Sequence, residues 1–218
     1  VGEYQLDKIT GAAIKIATEP DTSEVTDESN TTGGDADNTA TTVDKRHIFV
    51  GDSRTVGLSN AMGCVSYDKL LQIRTEENLT EYYLAEVGSG YSWYSTKALP
   101  KLVKMLNENP AATVILNHGI NDLGNIDQYI ASYQWLIRVY PNTKFVIMSV
   151  NPVNRKLYKG YAKPANITVF NQKMQAAFPN NFVNTYQYLQ SMGFNTADGL
   201  HYDSLTYMNL YNYMQPYL

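Results

Sequence analysis

From His47 onward the chain alternates short apolar runs with longer stretches whose apolar residues recur at helical spacing. The runs His47–Val50, Tyr82–Val87, Thr113–Leu116, Lys144–Val150 and Phe182–Val183 have the length of buried strands and end at turn-forming residues. Helices are predicted between them over Ser53–Met62, Tyr94–Leu106, Tyr129–Val139, Ala165–Phe178 and Asp203–Pro216. In the second of these, Leu99, Leu102, Val103 and Leu106 fall on one side, and Pro141-Asn142 stops the third. Residues Val153 to Pro164, rich in Lys and Tyr, read as a loop. Strands this uniformly apolar are buried on both faces, so the pattern predicts an α/β fold. Its centre is a five-stranded parallel sheet with right-handed crossovers, and ligands bind outside the carboxyl ends of the strands.

The chain before residue 46 has a different character. Residues 1–17 include a modest apolar stretch, Ala12 to Ala17, suited to an edge strand or to packing on the domain, and their role stays unassigned. Residues 18–45 are Thr, Ser, Asp, Glu, Asn and Gly with little to bury, the composition of a flexible acidic linker. Residues 18–44 carry eight carboxylates and no Lys or Arg, so against a net charge of −4 the remainder of the chain carries +4. That excess is too small for a nucleic-acid partner, which requires clustered Lys and Arg on one face. An anionic envelope polymer or an acidic acyl substrate is compatible with it.

At 218 residues and 44% hydrophobic, the chain suffices for one well-buried domain, residues 46–218, with an appendage. No apolar run is long enough to span a membrane and no export signal heads the sequence, while a start at Val1 points to processing or trimming. The protein is expected to be secreted or associated with the cell envelope. The single Cys64 permits no internal disulfide and reads as a small buried apolar residue after the first helix.

The chemistry concentrates around Arg46 to Gly57, where an apolar run meets Gly51-Asp52-Ser53 and then a helix start. Asp and Ser are ordinary helix caps, and a catalytic serine competes with that plain reading. A serine here sits at the rim of the sheet, with its N–H among the unpaired donors of a helix N-terminus, suited to an oxyanion. Only three histidines exist to act as its base. His47 opens the first strand, several residues back from the carboxyl edge; His118 beside Gly119 is the fallback. His201 is favoured because Asp198 stands three residues before it, a spacing at which side chains in a helical turn meet.

Further along come Gly88-Ser89-Gly90, Gly119-Ile120-Asn121-Asp122 and Asp198-Gly199-Leu200-His201, each beside or after another α/β unit. Together with Gly51-Asp52-Ser53 this ordered series resembles the SGNH (GDSL) hydrolases over about residues 46 to 218. The resemblance implies a flavodoxin-like three-layer α/β/α sandwich and a serine esterase or acylhydrolase working through an acyl-enzyme. It assigns Ser53 as nucleophile, His201 as base, Asp198 as its partner, and Ser53, Gly90 and Asn121 to the oxyanion hole. Gly88 competes with Gly90; Gly90 is chosen because the polar pair Tyr91-Ser92 follows it. Arg54, Tyr91 and Trp93 are assigned to substrate contact, and the two aromatic residues equally suit the core face of the next helix. Where the family has Gly-Asp-Ser-Leu, this chain has Gly-Asp-Ser-Arg.

Other hydrolase signatures are missing from the sequence: no Gly-x-Ser-x-Gly elbow, no His-Glu-x-x-His and no phosphate loop. Neither a cofactor nor a metal is expected, since three scattered His and one Cys offer few ligands. The expected substrate is an acetyl or short-chain acyl ester of a carbohydrate, since an aromatic rim would stack on sugar rings. The alternatives are a lysophospholipase or thioesterase-type acylhydrolase, and a non-catalytic glycan- or ligand-binding module on the same fold.

Overall fold

A computed structural model describes residues 4–6, 13–15 and 45–218. The linker expected over residues 18–45 lies outside the described residues except for Lys45, which begins a strand. In the amino-terminal unit, β1 (Tyr4–Leu6) and β2 (Ala13–Lys15) pair as an antiparallel hairpin.

Residues 44–218 form a second compact unit. Its strands are β3 (Lys45–Gly51), β4 (Val65–Ser66), β5 (Leu71–Glu76), β6 (Leu79–Ala85), β7 (Thr113–Asn117), β8 (Lys144–Met148) and β9 (Phe182–Val183). They lie in the order β4-β5-β6-β3-β7-β8-β9. From β6 to β9 every pairing is parallel, so the five expected strands form the parallel block. Counted by themselves they follow the flavodoxin-like order 2-1-3-4-5. The expected five-stranded sheet is corrected to seven: β4 and β5 add an antiparallel edge to β6. A two-residue turn joins β5 to β6, with Asn78 at φ 63°.

The helices are α1 (Ser53–Ala61), α2 (Tyr91–Trp93), α3 (Leu99–Glu108), α4 (Ile126–Val139), α5 (Pro164–Ala177), α6 (Thr185–Met192) and α7 (Ser204–Met214). A π-helical turn, Tyr94–Ala98, joins α2 to α3. Because side chains alternate across a strand, β3 sends Phe49 to one face and Ile48 and Val50 to the other. Phe49 joins Tyr83, Ile115, Val146 and Met148 in a cluster capped by Leu58 of α1 and Tyr207, Leu210, Tyr211 and Met214 of α7. Tyr207 and Tyr211, at helical spacing, are thus packing residues. Cys64 is half-buried at the margin of this cluster, more open than expected, and burial still pushes its thiol up to about 12.

One buried charge is held within this face. Glu81 of β6 is fully buried and accepts from Arg74 at 2.8 Å, Tyr83 at 3.1 Å and Tyr211 at 2.7 Å, with His47 Nδ1 at 3.5 Å. Burial alone would raise its carboxyl; His47, Tyr211 and Arg74 outweigh that and hold it below the usual range. The network ties the antiparallel edge and α7 to the parallel block, and it engages His47 well away from Ser53.

Candidate active site

The order of the parallel strands reverses between β3 and β7, and the crevice at that switch point is where an open α/β sheet binds its ligands. Asp52, directly after β3, caps α1: its carboxylate accepts the N–H of Arg54 at 2.9 Å. This cap places Ser53 at the first position of the helix. Ser53 Oγ lies 2.8 Å from His201 Nε2, and His201 Nδ1 lies 2.6 Å from Asp198 Oδ2. The loop holding that pair is itself wound around the carboxylate, because Asp198 Oδ1 also accepts the backbone N–H groups of Leu200 and His201, each at 2.8 Å. Partial burial pushes the Asp198 carboxyl up, but the bonds from the His201 ring and from the two backbone groups outweigh it. The group stays well below the usual carboxylate range and is ionised near neutrality.

The remaining two loops are stitched to the first. Ser89 Oγ donates to the Gly51 carbonyl at 3.4 Å, and Asn121 Nδ2 donates to the Ser89 carbonyl at 2.8 Å. An amide carries two N–H groups, so this bond orients the Asn121 side chain and leaves one donor for a ligand. Gly90 lies against Asp122: a Cβ there would come within 2.6 Å of Asp122 Oδ2. The competing Gly88 is exposed at φ +77° with open space around it. Close approach by a neighbouring loop is a property of Gly90 alone of the two.

Asp122 does more than the sequence reading asked of it. Its carboxylate accepts the Tyr91 N–H at 2.5 Å, Asn125 Nδ2 at 2.9 Å and Tyr129 OH at 3.0 Å. It thereby fixes the start of α2, directly after Gly90, relative to the Asn121 loop. The available signal was its adjacency to Asn121 in Gly-Ile-Asn-Asp.

Arg54 is corrected. Expected to meet substrate, it is 3% exposed, and its guanidinium donates to the carbonyls of Leu200 at 3.1 Å, Asn151 at 2.7 Å and Pro152 at 3.0 Å while lying over the Tyr202 ring. It is a buried clamp between α1, the chain following β8, and the residue next to His201. Tyr91 and Trp93 are half-buried in an aromatic cluster. Tyr91 meets Tyr129 edge-on at 5.1 Å, and Trp93 lies 5.9 Å from the His118 ring. These contacts match the core-face reading of the two residues rather than the sugar-stacking one. His118, the fallback base, is 3% exposed among the same rings, and burial pulls it down to about 3. It is a neutral core residue, and the imidazole beside Ser53 is that of His201.

Asp52 gives a pH-dependent prediction. Burial raises its carboxyl from 3.8 to about 6, against the lowering effects of the Arg54 N–H and guanidinium. A folded-state value above the unfolded one means that the charged form opposes folding above pH 6, and that protonation restores stability as pH falls through 6. The gap between about 6 and 3.8 corresponds to about 3 kcal/mol. Asp52→Asn, which keeps an acceptor for the cap, should therefore gain stability relative to wild type as pH rises from about 4 to 6.5 in urea titrations, and hold that gain above it. A difference that stays flat across that range would contradict this assignment.

Among the described residues no helix is long and apolar enough to cross a membrane. No family model matches the chain, and no curated protein matches its sequence. Solved structures do match its fold. A protein provisionally named a platelet activating factor, from Streptococcus pneumonia, is 22% identical with TM-score 0.60, covering 82% of this chain and 86% of its own. A lipase/acylhydrolase from Enterococcus faecalis is 17% identical with TM-score 0.53, covering 76% and 91%. A member of the lipolytic G-D-S-L family from Veillonella parvula is 12% identical with TM-score 0.54, covering 79% and 97%. The fold is that of the SGNH (GDSL) hydrolases.

Proposed function

We propose that this chain is a serine esterase or acylhydrolase, with residues 46–218 as its catalytic domain. The observation that carries the reading is the continuous path from Ser53 Oγ through His201 to Asp198, at 2.8 and 2.6 Å. The names of the lipase/acylhydrolase and G-D-S-L neighbours support the same class.

Ser53 Oγ attacks the ester carbonyl carbon while His201 Nε2 takes its proton, and Asp198 stabilises the imidazolium through Nδ1. The negative charge gathers on the former carbonyl oxygen, for which the Ser53 N–H, the Gly90 N–H and the free Asn121 N–H are the donors. The bond to the alcohol then breaks, and His201 returns the proton to the departing oxygen. Water attacks the acyl-enzyme, giving its proton to Nε2, and the acid leaves with Ser53 regenerated. Acetyl and short-acyl esters of sugars are the first substrates to try, then lysophospholipids. The acidic segment preceding the domain suits a secreted or envelope-tethered enzyme.

The test is hydrolysis of p-nitrophenyl acetate and acetylated sugars by the full chain, with turnover expected and its absence overturning the reading. Asn121→Ala should cut kcat by about 10²- to 10³-fold with little change in KM, since the lost donor serves the transition state rather than the bound ester. An Asn121→Ala enzyme with wild-type kcat would remove Asn121 from the oxyanion hole.

A further inference from the structure

Between β8 and α5 the chain runs Val153-Asn-Arg-Lys-Leu-Tyr-Lys-Gly-Tyr-Ala-Lys163, with four cations and no carboxylate. Outside residues 18–44 the sequence holds 17 Lys and Arg against 13 Asp and Glu. Removing this one loop leaves 13 against 13, so the entire positive excess sits on it. Arg155, Lys156, Lys159 and Lys163 are all exposed.

The loop borders the candidate site. Asn154 N–H donates to the Gly199 carbonyl at 2.9 Å, and the chain at Tyr158 lies so close to Gly199 that a Cβ there would come within 2.3 Å of the Tyr158 nitrogen. At its other end, Tyr161 OH donates to the Ile120 carbonyl at 3.2 Å. The loop therefore spans from the segment carrying His201 to the one carrying Asn121. Its cations are not neutralised locally. Arg155 donates to the Gly160 carbonyl and lies over Tyr158, and Lys159 donates to the Lys156 carbonyl. Among the described residues, none of these four forms an ion pair with a carboxylate, whereas Arg74, Lys101 and Lys173 do.

Four unmatched like charges within nine residues repel one another, and at the rim of a crevice they raise the local concentration of anions. The loop packs on the segment carrying His201, the residue that returns a proton to the departing alcohol.

Resting on the ester-hydrolase reading above, we propose that residues 153–163 form an anion-recognition wall and that the substrate is an ester whose alcohol portion bears a phosphate or a carboxylate. The test compares three acetyl esters on the full chain: a neutral methyl glucoside, glucose 6-phosphate and glucuronate. At low salt kcat/KM should favour at least one anionic ester by roughly tenfold or more, and about 0.5 M salt should erase most of that preference. The phosphate and carboxylate arms identify which anion is preferred.

Lys156→Gln and Lys159→Gln should each lower the anionic-to-neutral ratio about fivefold, the effect of one unit charge at about 4 Å in water. The ratio is the readout because a variant that merely folds less well lowers both rates together and leaves it unchanged. Hydrolysis of all three esters at equal efficiency, or a ratio unmoved by salt and by both substitutions, would overturn the wall while leaving the esterase intact. Hydrolysis of none of them, with no turnover of p-nitrophenyl acetate, would overturn the esterase and the wall with it.

Discussion

Ser53→Ala should lower kcat for p-nitrophenyl acetate by about 10⁴- to 10⁶-fold, and His201→Ala by a similar factor. Without Oγ no acyl-enzyme can form. Without the imidazole the hydroxyl keeps its ordinary acidity and attacks at a negligible rate. The two act as one unit through their 2.8 Å contact, so the double variant should be no slower than either single one. The residual rate comes from binding and from the oxyanion donors, which neither substitution touches. Stopped assays on purified variants, with folding checked by thermal unfolding, measure this. Multiplicative losses in the double variant would mean that Ser53 and His201 work independently.

Arg54→Met should lower stability by about 3–5 kcal/mol, because it strips the partner from three carbonyls that the fold keeps covered. For a domain of this size that corresponds to a fall in Tm of roughly 10 °C. Methionine preserves much of the apolar stem, so the loss isolates the guanidinium. Arg54→Lys should recover only part of it, since one ammonium cannot reproduce a planar fork reaching Leu200, Asn151 and Pro152 together. The surviving fraction should show a lower kcat with a modest change in KM, because Leu200 neighbours the imidazole. An unaltered Tm in Arg54→Met would show that the three bonds contribute nothing net.

The parallel block was legible because both of its faces are covered, which makes Ile48–Val50, Val114–Leu116 and Phe145–Met148 continuous apolar runs. The antiparallel edge carries no such mark. Val65 and Ser66 are both exposed, and the alternation of Leu71 and Ile73 with Gln72 and Arg74 covers only two repeats. Its turn is Glu77-Asn78 rather than an Asn-Gly pair, so the local chemistry of a hairpin was faint. The helix at Thr185–Met192, built from two tyrosines and several polar residues, was equally quiet.

At the site, Asp198 and His201 could be paired because three residues separate them on one turn, and Ser53 joined them through the ordered series of blocks that resembles the SGNH hydrolases. The place of Arg54 could not, since an arginine is ordinarily exposed and its partners here are backbone carbonyls about 100 or more residues away in sequence, which have no side-chain identity to read. The same holds for Asp122, whose partners Tyr91 and Tyr129 come from two different helices. Tertiary hydrogen bonds of this kind leave no periodic trace.

The most direct measurement is intact-protein mass spectrometry after exposure to a fluorophosphonate, followed by peptide mapping. The account predicts one stoichiometric phosphonyl adduct, located on Ser53, formed rapidly by the folded wild-type chain and lost in His201→Ala. An adduct on another residue, or none on a folded chain, would contradict it.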